Sequence, residues 1–309
     1  MDTFIQQIIN GLVLGSMYAL VALGYTMVYG VLNLINFAHG DVLMIGAMAG
    51  LTILNLLGAH FPEMNGWLQL ALAIAGAIPV CMVVNVLIER IAYRRLRNAP
   101  RLAPLITAIG MSILLQTFAM MIWGRNPLPF PQLLSAEPIA VGGAVISITQ
   151  ILLLALAALS MCALVLLVEK TKMGRAMRAV AENPRVAGLM GVDSNRVIVY
   201  TFAIGAALAA VAGVMWGANY ASIQFAMGTI PGLKAFCAAV LGGIGNIYGA
   251  MIGGIVLGII ESLGAGYIGD LTGGFLGSHY QDIFAFVVLI LVLTVRPSGI
   301  MGERVADRA

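Results

Sequence analysis

The stretch RAVAENPRVAGLMGVDSNR, Arg178 to Arg196, is nearly the only long polar run in the sequence. Everything around it is apolar: 61% of the 309 residues are hydrophobic and 9% are charged. A soluble domain carries about a quarter of its residues as charges. Too little polar surface is left for water, so the sequence predicts an all-α, polytopic integral membrane helix bundle. A span needs roughly 20 apolar residues, and clear spans are expected near 5–25, 40–58, 67–89, 103–124, 147–168, 197–218, 246–265 and 281–296. The gaps between them are too short for a soluble domain. The chain reads as a single transmembrane domain over 1–309, with a polar loop at about 169–196. The opening residues MDTFIQQ lack a basic n-region, so no cleaved signal peptide is expected.

Two further stretches are apolar but interrupted, TMVYGVLNLINFAHG (26–40) and IPGLKAFCAAVLGGIG (230–245). Each carries Gly, Asn or Pro where a continuous helix would be weakened. Non-helical backbone at membrane depth is tolerated only where protein or a water-filled cavity covers it. Both are therefore expected to be short or discontinuous helices beside a pathway. Basic residues concentrate in 89–102 (Arg90, Arg94, Arg95, Arg97, Arg101), in 169–196 (Lys170, Lys172, Arg175, Arg178, Arg185, Arg196) and after 295 (Arg296, Arg304, Arg308). Positive charge marks the cytoplasmic face. Counting both interrupted stretches as crossings predicts about ten crossings with both termini cytoplasmic; eight crossings plus re-entrant segments is the alternative. GDVLMIGAMAG (40–50) and GNIYGAMIGG (245–254) are alike and each follows an interrupted stretch. An internal repeat would point to a transport pathway; chance likeness of Gly/Ala-rich helices explains the match equally well.

Gly11/Gly15, Gly46/Gly50, Gly245/Gly249, Gly249/Gly253 and Gly254/Gly258 have the four-residue spacing that lets membrane helices approach closely. They serve packing within the chain or contact with a second membrane subunit. Enzyme signatures such as GxxxxGK[ST], HExxH and GxSxG are missing. His39, His60 and His279 are far apart, and Cys81, Cys162 and Cys237 lie in separate apolar runs. No catalytic residue, metal site or nucleic-acid partner is expected.

Charges in or beside the spans are functional candidates by default. Glu89 reads as an interfacial residue next to Arg90. Asp41 follows the Asn36–Phe37–Ala38–His39–Gly40 break and can cap the helix beginning there. Lys234 and Glu261 can pair with each other or line a polar path. The 178–193 segment is built for a short amphipathic helix, with Pro184 suited to a helix start. It reads either as an interfacial anchor or as a helix docked into a partner's groove.

GLVLGSMYALVALGYTMVYGVLNLINFAHGDVLMIGA (11–47), GRAMRAVAENPRVAGLMGVD (174–193), GLKAFCAAVLGGIGNIYGAMIGGIVLGIIE (232–261) and VLTVRPSGIMG (292–302) resemble, in order, the LivH-type permeases among ATP-binding cassette importers. The resemblance implies a multi-pass permease subunit of a bacterial inner membrane, translocating branched-chain amino acids. It implies a second LivM-like permease subunit, two cytoplasmic ATPase subunits and a periplasmic substrate-binding protein as partners. ATP and magnesium would be used by the ATPase subunits, with no cofactor bound by this chain. Permeases of this kind touch their ATPases through a coupling helix with a Glu-Ala-Ala-then-Gly pattern. Glu182 and Gly188 match it, whereas Asn183 and Pro184 stand where the alanines would be. The expected coupling residues are Arg178, Glu182, Asn183, Pro184, Arg185, Gly188 and Gly191. Expected pathway residues are Asn33, Asn36, Phe37, His39, Asp41, Lys234 and Glu261. Urea or a short-chain amide is the alternative cargo. An ATP-independent channel or secondary carrier is the alternative class, against which the polar loop and the scarcity of intramembrane carboxylates argue.

Overall fold

The computed structural model describes residues 2–97, 99–100, 102–134, 138–141, 143–271, 281–296 and 298–302. Arg101, His279, Arg304 and Arg308 lie outside the described residues. In chain order come α1 (Asp2–Leu32), α2 (His39–His60), α3 (Gly66–Ile88) with a π turn and a 3-10 turn continuing it to Leu96, and α4 (Leu102–Trp123). The short strands β1 (Leu128–Pro129), β2 (Ile139–Val141) and β3 (Ala144–Ile146) precede α5 (Ile148–Lys170). Then follow α6 (Lys172–Glu182), α7 (Pro184–Leu189), α8 (Ser194–Tyr220), β4 (Ser222–Ile223), α9 (Thr229–Gly242), α10 (Ile247–Leu271) and α11 (Gln281–Val295). β2 and β3 form an antiparallel hairpin, and β1 pairs antiparallel with β4.

Among the described residues, seven helices are long and apolar enough to cross a membrane, and two shorter apolar helices, Thr229–Gly242 and Phe286–Val295, accompany them. Seven of the eight expected spans are thus full-length helices, and the eighth falls in the 15-residue α11. The expectation that 26–40 crosses by itself is corrected. Residues 26–32 simply continue α1, and the helix ends at Asn33, whose φ of 53° is left-handed. Only 33–38 is non-helical. The 230–245 stretch behaves as expected and gives the short helix α9.

Local sequence explains the helix starts. Asn65, Thr171, Asn183 and Asp193 each accept a backbone N–H as N-caps of α3, α6, α7 and α8. Ser147 and Gln150 form a capping box at α5. The helices then sort into two shells. In α1 and α8, 72% of the apolar window is buried, against 28%, 17% and 22% in α3, α4 and α5. The outer three display Val83, Ile106, Ile113, Met121 and Leu159, which suits hydrocarbon rather than water.

Close packing of the inner shell uses the small-residue spacing. A Cβ on Gly11 would stand 2.6 Å from Ile259 Cα, and one on Gly15 would stand 2.7 Å from Ile255 Cα. α1 and α10 therefore run antiparallel with backbones in contact. Gly46 faces Ala210 and Gly50 faces Val214 on α8, and Gly253 faces Gly242 on α9. The described glycine pairs thus meet partners within the chain; Gly245 sits in the turn before α10 with φ +94°.

Both ends of the bundle are defined by polar contacts. At one end Tyr248 donates to Glu169 (2.5 Å), Arg97 donates to Asn195 (2.7 Å) and the Ile300 N–H bonds Leu241 O (2.8 Å). At the other, Gln6 exchanges hydrogen bonds with the Val145 backbone at 3.0 and 2.7 Å. The first turn of α1 therefore packs on the β2–β3 hairpin, opposite the 169–196 loop, while the chain to residue 302 ends beside that loop. Asp2–Gln6 and the described residues up to 302 thus lie at opposite ends of the bundle, where both termini are expected on one face; Met1 and residues 303–309 lie outside the described residues. That expectation counts 26–40 as an extra crossing, whereas 26–32 continue α1.

Candidate functional site

The loop quoted at the outset folds as two helices joined at a corner. Asn183 takes an extended conformation between α6 and α7, and its side chain accepts from Arg185 N (3.0 Å) and Val186 N (3.2 Å). Pro184 occupies the first turn of α7, where its missing N–H costs nothing. Gly191, with φ +84°, turns the chain after α7 towards the Asp193 cap of α8. Arg178 reaches back to donate to Val168 O at the end of α5. Glu182, Asn183, Pro184, Arg185, Gly188 and Gly191 are all exposed. Apolar side chains are exposed with them: Leu189 is 88% and Met190 81% accessible. Met177, Val180 and Ala187 face inward and are buried. α6 packs against α1, α5 and α8. All seven expected coupling residues therefore lie in one segment, whose inner face holds the central helices.

The expected pathway residues fall into three places. Asn33 stands apart at the end of α1, lining a cavity of about 520 Å³ with Tyr29, Leu105 and neighbours. The second group is the break before α2. Asn36 is buried, donates to Asn85 (3.4 Å) and accepts from the Tyr93 hydroxyl (2.9 Å). Phe37 packs on Phe236, ring centroids 5.3 Å apart. His39 meets Tyr25 edge-on at 5.0 Å, and Gly24 leaves room for its ring. Both His39 nitrogens are fully buried and have no hydrogen-bond partner among the described residues. Asp41 accepts from Gln116 of α4 (2.9 Å), whose amide also lies 3.1 Å from the Thr229 hydroxyl.

The third group lies on α9, α10 and α11. Lys234 Nζ is 2.5 Å from Glu261 and 2.5 Å from Asp282. Tyr18 of α1 donates to Glu261 at 3.1 Å. The two interrupted stretches, far apart in sequence, touch each other: Gly40 at the start of α2 abuts Gly232 of α9 and Gly228 just before it. Asn36, Phe37, His39 and Asp41 thus sit on one side of this contact, and Lys234 and Glu261 on the other.

Sequence reasoning missed Tyr18, Asn85, Tyr93, Gln116 and Asp282. Asn85 and Gln116 were detectable as amides inside apolar spans, where a polar group needs a partner. Glu89 also differs from expectation. It is fully buried rather than snorkelling into water, held by Arg94 (3.2 Å) and by Arg97.

The family described as branched-chain amino acid transport system / permease component matches residues 7–293. The permease protein BraD of the high-affinity branched-chain amino acid transport system of Pseudomonas aeruginosa is 46% identical over 307 residues, 97% of this chain and 96% of its own. The corresponding LivH protein of Escherichia coli K12 is 46% identical over 305 residues, with the same coverage. A chain described as PsaBC from Streptococcus pneumoniae in complex with Fab superposes on 96% of this chain and 92% of its own with a TM-score of 0.49 at 14% identity, too slight a likeness to carry a statement. With nearly its full length matched and its bundle built of apolar helices, this multi-pass membrane protein belongs to the permease components of branched-chain amino acid transport systems.

Proposed function

We propose that this chain is a permease subunit of an ATP-driven importer that moves leucine, isoleucine and valine across a bacterial inner membrane. It works as one transmembrane domain beside a second, LivM-like permease subunit. Two cytoplasmic ATPase subunits bind the ATP and magnesium and dock on the α6–α7 corner. A periplasmic binding protein delivers cargo at the opposite end. The basic residues of 89–97 and 169–196 support a cytoplasmic assignment for that end. The first turn of α1, packed on the β2–β3 hairpin, then belongs to the periplasmic face.

The observation that carries this reading is the exposed α7 with Leu189 and Met190. Two large apolar side chains facing solvent at the charged end of a membrane bundle need a cover, and a protein groove provides one. Gly188 supports the same view. It stands in a helix with open space where a Cβ would be, so nothing among the described residues requires a glycine there. An incoming partner backbone would. The α6 face opposite the exposed one contacts α1 and α8, so ATPase closure would shift those two central helices together. The meeting point of α2 and α9 lies on their path and opens to alternate sides.

The test is co-expression with the candidate partners, purification by a tag on this chain, and ATPase and uptake assays in lipid vesicles. Leucine uptake should require ATP and the binding protein, and Glu182→Ala should weaken ATPase stimulation. A chain that purifies alone, or moves leucine without ATP, contradicts the proposal.

A further inference from the structure

At the end of the bundle that carries β1 and β4, a cavity of about 580 Å³ opens among α1, α8, α9, α10 and α11. That volume is within the range of roughly 300–1,000 Å³ common to small-molecule sites. Its walls divide by chemistry. Leu14, Met227 and Ile230 form an aliphatic side. Trp216 and Tyr220 stack with centroids 4.8 Å apart. Lys234, Glu261 and Asp282 form the charged side.

Among the described residues the charged side does not balance. One ammonium faces two carboxylates, each at 2.5 Å. Among the described residues, two of the three Lys234 N–H groups are engaged and one is left for a further acceptor, with Nζ 5.7 Å from the centroid of the Tyr18 ring. The Lys234 and Glu261 side chains are 4% and 2% exposed, whereas Asp282 is 39% exposed. The surplus negative charge is thus presented to the cavity at Asp282. Asp282 lies in the first turn of α11 and reaches the cavity, where an entering cation gains the attraction of a carboxylate that shares its ammonium partner with Glu261. Trp216 and Tyr220 line the same cavity, and aromatic faces attract cations.

We infer that this cavity is a subsite for an α-amino acid zwitterion. Asp282 takes the ammonium group, the remaining Lys234 N–H takes the carboxylate, and the aliphatic side takes a branched side chain. The inference rests on the import of branched-chain amino acids proposed above. It adds that the permease itself, and not the binding protein alone, reads the ammonium group of its cargo. A clamp joining three helices would hold Lys234 in the same way but would not discriminate among ligands, and this separates the two roles.

The experiment uses the permease–ATPase assembly without binding protein, in a Trp67→Phe/Trp123→Phe background that leaves Trp216 as this chain's sole tryptophan, with the signal of the same assembly carrying Trp216→Phe subtracted as the blank. Leucine and isoamylamine should give saturable changes in Trp216 fluorescence, and 4-methylpentanoate, which lacks the ammonium group, should bind at least tenfold more weakly. Asp282→Asn should weaken leucine and isoamylamine at least tenfold, and Asp282→Glu should retain them. Should Asp282→Asn not assemble, the comparison of leucine with 4-methylpentanoate on the parent protein decides alone. Equal responses to those two ligands, no response to leucine, or an Asp282→Asn protein that binds leucine unchanged would each overturn the inference. ATP-driven leucine uptake is measured on the same preparation with binding protein added. If uptake is absent, the importer reading fails; if uptake is present without Trp216 discrimination, only the zwitterion subsite fails.

Discussion

Gly232 of α9 faces Gly40 of α2 so closely that a Cβ on Gly232 would stand 2.7 Å from the Gly40 Cα. Two backbones meet here with no side chain between them, at the junction of the two interrupted stretches. Gly232→Val should therefore force the helices apart. Overpacking of this kind costs about 1–3 kcal/mol. The expected result is a thermal unfolding midpoint in detergent several degrees lower, with loss of uptake exceeding loss of folded protein. An unchanged midpoint would mean that the contact is not tight in the membrane.

Gly188 offers the opposite case. Its Cβ position is open, and a glycine inside a helix costs roughly 0.5–1 kcal/mol relative to alanine. Gly188→Ala should leave the isolated chain as stable or slightly more so. Gly188→Trp should also fold, yet sever ATPase stimulation because the indole occupies the partner's space. Wild-type stimulation in Gly188→Trp would move the docking contact elsewhere.

Glu89 is buried between two arginines, of which Arg97 is 18% and Arg94 41% exposed. Removing one partner from a buried pair typically costs about 3–5 kcal/mol; the partial exposure of Arg94 places Glu89→Gln at the lower end of that range. The measurement is denaturant or thermal unfolding in mild detergent. A shift below about 1 kcal/mol would assign Glu89 little structural weight.

The direction of α1 can be read in cells. In a Cys162→Ala background, a cysteine at exposed Phe4 should react with a membrane-impermeant maleimide in spheroplasts. A cysteine at Leu189 should react only after permeabilisation. The reverse pattern would invert the bundle in the membrane.

The spans were legible because lipid leaves a helix no alternative to about 20 apolar residues. The end of α1 was not. Gly30 and Asn33 read together as an interruption, yet a single helical glycine costs only about 1 kcal/mol, and lipid gives a released backbone group no partner. The helix therefore persists until Asn33 adopts the left-handed conformation. Lys234 with Glu261 was legible as two charges near membrane depth. Asp282 was hidden at the edge of the 281–296 run, where an acidic residue looks like an ordinary boundary. Asn85 and Gln116 carry no charge to draw notice, and their partners, Asn36 and Asp41, lie 49 and 75 residues away. The Asn183 corner was partly legible, since Pro184 announced a helix start. Which of its apolar residues would face outward was decided by packing on α1 and α8.

The 31-residue α1 is about 46 Å long at a rise of 1.5 Å per residue, and Leu14 and Tyr18, which reach the outer cavity, stand near its middle. α6 packs on the same helix. On the proposed coupling, a tilt of about 5° about the Leu32 end would carry Tyr18 sideways by about 2 Å. That is enough to part its hydroxyl from Glu261, now 3.1 Å away. A single helix would then let the docking corner time how firmly the cavity's charged side is held.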